Sequence, residues 1–423
     1  MTQLTDQLEL PCGQVLPNRL IKSALSEVLA NDEHGPDHRL QQLYSTWGSG
    51  GFGLLITGNV MIDPDHFGEP GNVALDPDGD LEPYSRWAEA AHRGGSPIWM
   101  QLNHPGRQAN SLITGKRPVA PSAIAPHLPG LPVPRALTNP QIEEIISRFG
   151  RAAAMAESAG FDGVQIHGAH GYLVSQFLSP LSNQRQDSWG GDSERRMRFV
   201  LEVVRAIRGS VSSGFAVGIK LNSADFQRGG YTEAESRGVI QRLVQEKVDL
   251  IEISGGTYES WAMLGRPATT SRSTKEREAY FLEYAHMVRA DVEGVPLVVT
   301  GGFRSRVAMA RAVADGECDA VGIGRPAALI PDAAQALISG RIDILPTPGI
   351  SLGVPALTNR IKPLKALEGA LDLQWHTEQI NLLGSGKATD PCRPAWRTAI
   401  TAMRRNGIDA FRSKRGSAAR SAS

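Results

Sequence analysis

The sequence predicts a closed barrel of alternating parallel strands and helices, the (β/α)8 or TIM-barrel fold. Short apolar, β-branched segments alternate with longer amphipathic segments from residue 20 to about residue 340. Runs this apolar are expected of strands that are buried on both faces, as in a parallel sheet. Eight strand patterns and about eight helix patterns in strict alternation are what a closed barrel requires. On pattern alone, the alternative is a doubly wound open sheet.

The predicted strands are short and rich in valine, isoleucine and leucine, and the predicted helices are amphipathic. The strands are Leu20–Leu25, Gly53–Thr57, Ile98–Leu102, Gly163–His167, Phe215–Leu221, Leu250–Ser254, Pro296–Thr300 and Ala320–Ile323. The helices are His38–Ser49, Pro83–Arg93, Pro140–Ser158, Ser193–Gly209, Glu233–Glu246, Glu276–Asp291, Ser305–Asp315 and Pro326–Ile338. Some helix starts carry capping signals, such as Asn139 before Pro140 and Thr232 before Glu233.

Stretches at both ends of the chain lie outside this alternation. Residues 8–19 predict a small hairpin that closes the barrel floor. We place the barrel domain at residues 1–345 and a C-terminal helical extension at residues 346–410. Residues 411–423 predict a disordered tail, because they are basic and dominated by small side chains.

Composition excludes several classes of protein. Lys plus Arg (44) equals Asp plus Glu (44), so no electrostatic footprint for nucleic acid is present. The three scattered cysteines, Cys12, Cys318 and Cys392, predict no disulfide framework and no zinc or iron–sulfur centre. The start of the chain has no signal-peptide pattern, and no apolar run reaches the ~18 residues that span a bilayer. We expect a cytoplasmic protein that does not contact membranes. Assembly into a homo-oligomer is compatible with the sequence.

Glycines follow the seventh and eighth predicted strands. Gly301 and Gly302 follow one strand, and Gly324 with Arg325 follows the next. Glycine lets backbone N–H groups approach an anion, and barrels commonly bind phosphate at the loops after these two strands. Arg325 adds a bidentate donor, so the pattern predicts a phosphate site. The alternative is that the glycines only relieve crowding.

Two histidines and a tyrosine lie at the end of the fourth predicted strand. His167, His170 and Tyr172 can converge on one substrate atom if the chain makes a helical turn there. Neutral imidazoles can donate hydrogen bonds to a carbonyl or nitro oxygen, and a phenol can supply a proton. The competing interpretations are a metal site, for which no third ligand has suitable spacing, and histidines with a purely structural role.

Lys220 and Gln101 lie at the ends of the fifth and third predicted strands. A buried lysine without a partner is costly, so Lys220 is expected to face an anion or a group that becomes one. A reduced flavin, with negative charge near N1, is such a group. Gln101 offers both a donor and an acceptor, which suits the N3/O2 edge of an isoalloxazine ring.

Together, these residues resemble the old yellow enzyme family, the NADH:flavin oxidoreductases built on an FMN barrel. The likeness runs from about residue 8 to residue 340. The segment IHGAHGYLVSQFLSP followed by DSWGGDSERRMRF carries most of it, and VGIKLNSADF, EISGGTYE, VVTGGF and GIGRP support it. The resemblance implies an FMN-dependent ene-reductase-like enzyme. Such an enzyme passes a hydride from NADH or NADPH through flavin N5 to an activated C=C bond.

The resemblance also implies a role for each candidate residue. His167 and His170 would bind the activating oxygen of the acceptor, and Tyr172 would protonate its α-carbon. The flavin pyrimidine edge would be held by Gln101 and Lys220, its O4 by Ser26 and the Gly58 N–H, and its phosphate by Gly301, Gly302, Gly324 and Arg325. Lys220 stands where well-known members have Arg, so the charge remains but the planar fork is lost. Ser26 stands where the family usually has Thr or Cys, so the sequence does not predict the redox potential.

Two other functions are compatible with such a barrel. One is an FMN enzyme that works in the oxidative direction, as a dehydrogenase or demethylase, because loops rather than the barrel decide the reaction. The other is a flavin-free barrel that binds a phosphorylated metabolite, which would not need Gln101, Lys220 or the His167 cluster. The sequence does not discriminate NADH from NADPH, because the family that it resembles has no Rossmann domain with a ribose-reading acid.

Overall fold

The predicted strands form a closed parallel barrel. The computed structural model describes residues 2–126, 132–225, 227–254, 282–346 and 362–405. The strands are β1 (Leu20–Lys22), β2 (Leu54–Met61), β3 (Ile98–Asn103), β4 (Gly163–Gly168), β5 (Ala216–Asn222), β6 (Leu250–Ser254), β7 (Leu297–Thr300) and β8 (Ala320–Ile323). Strand β1 pairs in parallel with both β8 and β2, so the ring closes. The TIM-barrel prediction is confirmed, and the open-sheet alternative is wrong.

Helices surround the barrel in the predicted alternation. They are α1 (His38–Gly48), α2 (Glu82–Arg93), α3 (Asn139–Ser158), α4 (Ser193–Arg208), α5 (Glu233–Gln245), α6 (residues 282–288), α7 (Arg306–Ala314), α8 (Ala333–Ile338), α9 (Lys362–Gly384) and α10 (Ala395–Met403). Helix α5 begins with a reciprocal cap: the Glu235 N–H donates to Thr232 Oγ1 at 3.2 Å, and the Thr232 N–H donates to Glu235 Oε2 at 2.9 Å.

Shorter elements decorate the loops. Short helices or 3₁₀ turns lie at Gly106–Gln108, Ser111–Thr114, Leu173–Leu178, Arg289–Asp291 and Arg325–Ala328. Two-residue strands lie at Leu8–Glu9, Val15–Leu16, Val73–Ala74, Val119–Ala120 and Arg135–Ala136. The short strand Val73–Ala74 extends the main sheet at the edge of β2.

The structure differs from three predicted elements. Strand β1, predicted at Leu20–Leu25, ends at Lys22. The helix predicted at Pro326–Ile338 is a 3₁₀ turn at Arg325–Ala328 followed by α8 from Ala333. Pro331 separates the two pieces, because a proline lacks the N–H that a continuous helix needs. Strand β2, predicted to end at Thr57, continues to Met61 with a shift in pairing register between Ile56 and Asn59. The predicted helix Glu276–Asp291 lies partly outside the described residues.

The N-terminal hairpin closes the barrel floor, as predicted. Leu8 pairs with Leu16, and Glu9 with Val15, in an antiparallel ladder. Gln14 Nε2 ties the turn to the barrel by donating to the carbonyl oxygens of Asp162 (2.5 Å) and Gly214 (2.9 Å). The apolar side chains of the hairpin share one cluster with inward-facing residues of the strands: Leu8, Leu10, Leu16, Ile21, Leu54, Ile56, Trp99, Ala216, Leu250, Val298 and Ala320.

A single tryptophan occupies much of this floor. Trp99 is fully buried, and two glycines on neighbouring strands make room for its indole ring. A Cβ at Gly163 would lie 2.8 Å from Trp99 Nε1, and a Cβ at Gly218 would lie 2.7 Å from Trp99 Cζ3. Both distances are shorter than a carbon contact allows, so these positions require glycine.

The C-terminal helices pack against loops at the mouth of the barrel. Asn381 Nδ2 on α9 donates to the Glu27 carbonyl oxygen at 2.9 Å, just after β1. Ile380 and Leu383 are buried within the main core cluster. The predicted extension over residues 346–410 therefore contributes α9 and α10, while residues 347–361 and the predicted tail over 411–423 lie outside the described residues. None of the helices in the described ranges is long and apolar enough to cross a membrane.

We predict that the hairpin contributes measurably to stability. Leu16 is 1% exposed and Val15 is 47% exposed, on opposite faces of one two-residue strand. Leu16→Ala should lower the free energy of unfolding by about 2–5 kcal/mol, because it leaves a cavity in the floor. Val15→Ala, the matched control, should change it by about 0.5 kcal/mol or less. Urea unfolding followed by circular dichroism tests this, and equal losses in both variants would contradict the packing described.

Candidate active site

Polar side chains occupy the mouth half of the barrel interior. Strand residues two apart point to the same side, so each pair faces inward together. The pairs are Gln101 with Asn103, Gln165 with His167, Lys220 with Asn222 and Glu252 with Ser254, and all eight side chains are buried. They stand at the C-terminal ends of β3, β4, β5 and β6, where barrel enzymes carry their chemistry.

The turn after β4 brings His170 back over His167. It is not the helical turn that the sequence suggested: His170 has φ +62° and Gly171 has φ +78°, and the following helix begins only at Leu173. A non-glycine residue in this left-handed region costs about 1 kcal/mol or more. Gln108 Nε2 donates to the carbonyl oxygens of His170 (3.1 Å) and Gly171 (2.7 Å), and the His170 N–H donates to Asn222 Oδ1 (3.2 Å). These bonds hold the strained turn.

The two histidines belong to one chain of hydrogen bonds. His167 Nδ1 lies 2.7 Å from Asn59 Oδ1, and His167 Nε2 lies 2.9 Å from His170 Nδ1. His170 Nε2 lies 3.2 Å from Ser254 Oγ. Because the Asn59 amide oxygen can only accept, His167 Nδ1 carries the proton. His170 Nδ1 then donates to His167, and the Ser254 hydroxyl donates to His170, which assigns one tautomer to each ring.

Tyr172 stands at the far end of this chain. Its ring centroid lies 4.7 Å from that of His167, and its side chain is buried. Asn59 Nδ2 donates to the Tyr172 hydroxyl at 3.5 Å and to Ser26 Oγ at 3.4 Å. The phenol oxygen therefore accepts from Asn59, and this orients its own O–H as a donor. Asn59 thus joins the histidines, Tyr172 and Ser26, although nothing in the sequence around it predicts this role.

Burial keeps both imidazoles uncharged. Burial, reinforced by the positive charge of Lys220, lowers the pKa of His170 to about 3. Burial and the neighbouring His170 and Lys220 hold the pKa of His167 well below its ordinary value. Both rings are neutral near pH 7, so they act as hydrogen-bonding groups rather than as cations.

Lys220 forms an ion pair inside the barrel. Lys220 Nζ lies 2.9 Å from Glu252 Oε1, and both side chains are at most 3% exposed. Thr300 Oγ1 donates to Glu252 Oε1 at 2.6 Å, and Gln165 Nε2 donates to Glu252 Oε2 at 2.7 Å. Gln101 Nε2 in turn donates to Gln165 Oε1 at 2.7 Å. The anion that Lys220 was expected to face is, within the described residues, the carboxylate of Glu252.

The glycine-rich strand ends lie side by side. Gly301 and Gly302, with φ +117° and +89°, follow β7, while Gly324 and Arg325 follow its neighbour β8. This exposes backbone that carries no side chain. Arg325 Nη1 donates to Asp372 Oδ2 on α9 at 3.0 Å, which uses one of the five N–H donors of the guanidinium.

The Gly58 N–H has a protein partner. It donates to Glu27 Oε1 at 2.7 Å, and the Tyr44 hydroxyl donates to the same oxygen. A Cβ at Gly58 would collide with this carboxylate, so the position requires glycine.

Nearby, burial lowers the pKa of Lys22 to about 7. Its ammonium group donates to the Ile56 carbonyl oxygen at 2.8 Å.

One group within the described ranges has the spacing of metal ligands: Asp63, His66 and His104. His104 Nδ1 accepts from the Gly106 N–H at 3.0 Å, so the proton of the neutral ring sits on Nε2, 3.6 Å from Asp63 Oδ2. Arg148 Nη1 lies 2.7 Å from Asp63 Oδ1. A protonated Nε2 and an adjacent guanidinium both disfavour a cation, so this cluster is a hydrogen-bonded network.

We predict that the neutral histidines make the protein acid-sensitive. The unfolded His170 binds a proton near its ordinary pKa of 6.5, whereas the folded residue does so only near 3. Its contribution to stability is therefore complete above pH 6.5 and is lost as the pH falls toward 3. His170→Asn should flatten this acid limb by at most about 1.4 kcal/mol per pH unit.

Urea unfolding of both proteins across this pH range, followed by tryptophan fluorescence, checks the prediction. His92 offers an internal contrast, because a hydrogen bond to Asp162 raises its pKa. In side-chain NMR spectra, His92 should titrate above 6.5 while His170 stays neutral to pH 5. A His170 signal that titrates near pH 6.5 would contradict the burial described.

Comparison with known proteins identifies relatives of this barrel. The sequence profile of the NADH:flavin oxidoreductase / NADH oxidase family matches residues 12–343. The NADH-dependent flavin oxidoreductase iliE of Hypocrea jecorina (strain QM6a) is 39% identical over 345 residues, which cover 77% of this chain and 86% of that protein. An NADH oxidase of Thermoanaerobacter brockii is 36% identical over 316 residues, which cover 74% of this chain and 47% of that protein. A structure of morphinone reductase in complex with tetrahydroNAD superimposes with a TM-score of 0.68 at 27% identity, covering 82% of this chain and 93% of that chain.

Proposed function

This chain belongs to the NADH:flavin oxidoreductase / NADH oxidase family, and we propose that it reduces activated alkenes at the expense of NADH or NADPH. The acceptor class is an α,β-unsaturated carbonyl, a nitroalkene or a quinone. FMN, the cofactor of this family, supplies the hydride chemistry when it is bound. The observation that carries the proposal is the hydrogen-bonded chain from Ser254 through His170, His167 and Asn59 to Tyr172. Because the family uses a flavin, the flavin-free alternative is wrong.

The residues at the mouth fit FMN. Gly301 and Gly302 present bare backbone beside Arg325, which suits a phosphate. Asn222 Nδ2 is buried and has no hydrogen-bond partner among the described residues. A ligand atom that accepts a hydrogen bond from this group would satisfy it. We assign the cofactor to Ser26, Gly58, Gln101, Lys220, Gly301, Gly302, Gly324 and Arg325. For Gly58, this assignment requires its N–H to exchange the Glu27 carboxylate for the ligand.

We assign the binding of the acceptor oxygen to His167 and His170. Each ring carries one N–H, and each N–H already has a protein partner. An acceptor oxygen that binds here therefore replaces one hydrogen bond between these side chains, and only the side chains that made that bond have to reorient. Because both rings are neutral, their N–H groups can polarise a carbonyl or nitro group by hydrogen bonding without placing a cation beside the substrate.

Tyr172 is assigned the proton that completes alkene reduction. Its hydroxyl accepts from Asn59, so the phenolic proton is not used in that bond. Burial excludes water that would otherwise compete for this proton. Asn59 acts through Tyr172 and His167, as a positioning residue.

We predict that Tyr172→Phe separates the two half-reactions. Reduction of bound flavin by NADH should remain within about twofold of wild type, because no proton from Tyr172 is needed there. Reoxidation by an enone should slow by about 100-fold or more, the usual size of a general-acid contribution. Anaerobic stopped-flow absorbance measures both rates. Tyr84→Phe is the control, since Tyr84 is equally buried and donates only to the Ala74 carbonyl oxygen. Equal slowing of both half-reactions by Tyr172→Phe would remove its assigned role.

The first experiment on the function is the visible spectrum of the purified protein, with the released chromophore identified by mass. FMN bands that bleach with NADH or NADPH and return with an enone support the proposal. Bands that bleach only with an organic donor such as an amine or an alcohol would favour the oxidative direction, as a dehydrogenase or demethylase. A protein that stays colourless after incubation with FMN would overturn the proposal.

A further inference from the structure

We infer that Glu252 sets the charge that the barrel presents to the flavin and so tunes its reduction potential. This inference rests on the proposed function, because it takes Lys220 to lie at the flavin pyrimidine edge. Glu252 is paired with Lys220, and the two side chains are at most 3% exposed. The pair is therefore neutral before any flavin binds.

The contacts of Glu252 hold it as an anion. Its carboxylate receives hydrogen bonds from the Lys220 ammonium, the Thr300 hydroxyl and the Gln165 amide. Despite its burial, these partners keep its pKa below the ordinary value, with the Lys220 charge the largest of the lowering causes. Gln165 is itself fixed by Gln101, so the carboxylate has little freedom to turn toward another partner.

The consequence for the flavin follows from charge balance. On reduction, the flavin gains negative charge near N1, and a lone lysine would favour that charge strongly in a medium of low dielectric constant. With Glu252 in place, the added charge meets a neutral pair, so the site favours the reduced flavin less. A lower potential makes the reduced flavin a stronger hydride donor, which suits weakly electrophilic alkenes.

The two members of the pair should therefore shift the potential in opposite directions. Glu252→Gln keeps the shape and leaves Lys220 uncompensated, so the FMN midpoint potential should rise. Lys220→Met removes the cation and should lower the potential and weaken FMN binding. The double variant should return toward wild type, which a double-mutant cycle measures. A purely structural role for Glu252 would not give opposite signs.

The experiment uses the flavin-loaded protein and dye-equilibration measurement of the midpoint potential. For Glu252→Gln we expect at least about a tenfold change in the reduction equilibrium, equal to about 30 mV for a two-electron couple. Flavin fluorescence gives the FMN dissociation constant of each apoprotein as a second readout. Asp249→Asn is the matched control. Asp249 is also a buried carboxylate, but it directly precedes the N-terminal end of β6 and is paired with Arg208. It should lower stability and leave the potential unchanged.

Three outcomes would overturn the inference. They are an unchanged potential in Glu252→Gln, a shift in the same direction as Lys220→Met, or an equal shift in Asp249→Asn. If Glu252→Gln fails to fold, Thr300→Val removes one donor to the carboxylate, leaves its negative charge less neutralised and should lower the potential by a smaller amount. A wild-type protein that takes up no FMN would overturn the proposed function as well, whereas normal FMN binding with an unmoved potential overturns this inference alone.

Discussion

Closure of the barrel imposes the constraint on which the rest of the structure depends. Because every strand has a neighbour on each side, alternate side chains must point into one shared interior. At the floor, that interior is filled by Trp99 and the apolar side chains of the hairpin. At the mouth it is filled by buried polar side chains, most of which bond to one another, while the side-chain amide of Asn103 and the Asn222 Nδ2 group have no partner among the described residues. The two networks centred on His167 and Glu252 are the result.

The two networks differ in what they hold in place. The chain through His167 controls direction: a left-handed turn, two tautomers and the orientation of a phenol all follow from the side chains of Asn59 and Asn222. The cluster around Glu252 controls charge, since it confines one anion and one cation to the centre of the barrel. Orientation and charge are thus set mainly by different residues, and Lys220 couples the two networks because its charge also lowers the pKa of both histidines.

The sequence predicted the strands well, because buried parallel strands are continuous apolar runs with sharp ends. It also predicted the cluster of His167, His170 and Tyr172, since all three lie at the C-terminal end of one strand. It did not reveal Asn59 or Glu252, because their importance depends on which strands become neighbours and in which register. The signal was present as polar residues two apart, such as Gln165 with His167, but it has meaning only once the ring is closed. The helix predicted at Pro326–Ile338 is wrong because it includes Pro331, which separates the 3₁₀ turn from α8.

The bond between Arg325 and Asp372 links the barrel mouth to the C-terminal helix α9. By thermodynamic reciprocity, two events that use the same guanidinium cannot be independent. If an anion at the end of β8 draws Arg325 away from Asp372, it weakens the docking of α9 by the same factor by which that docking weakens anion binding. An anion that Arg325 can bind while keeping Asp372 instead strengthens both. In this way, the docking of the C-terminal helix α9 is coupled to anion binding at the barrel mouth.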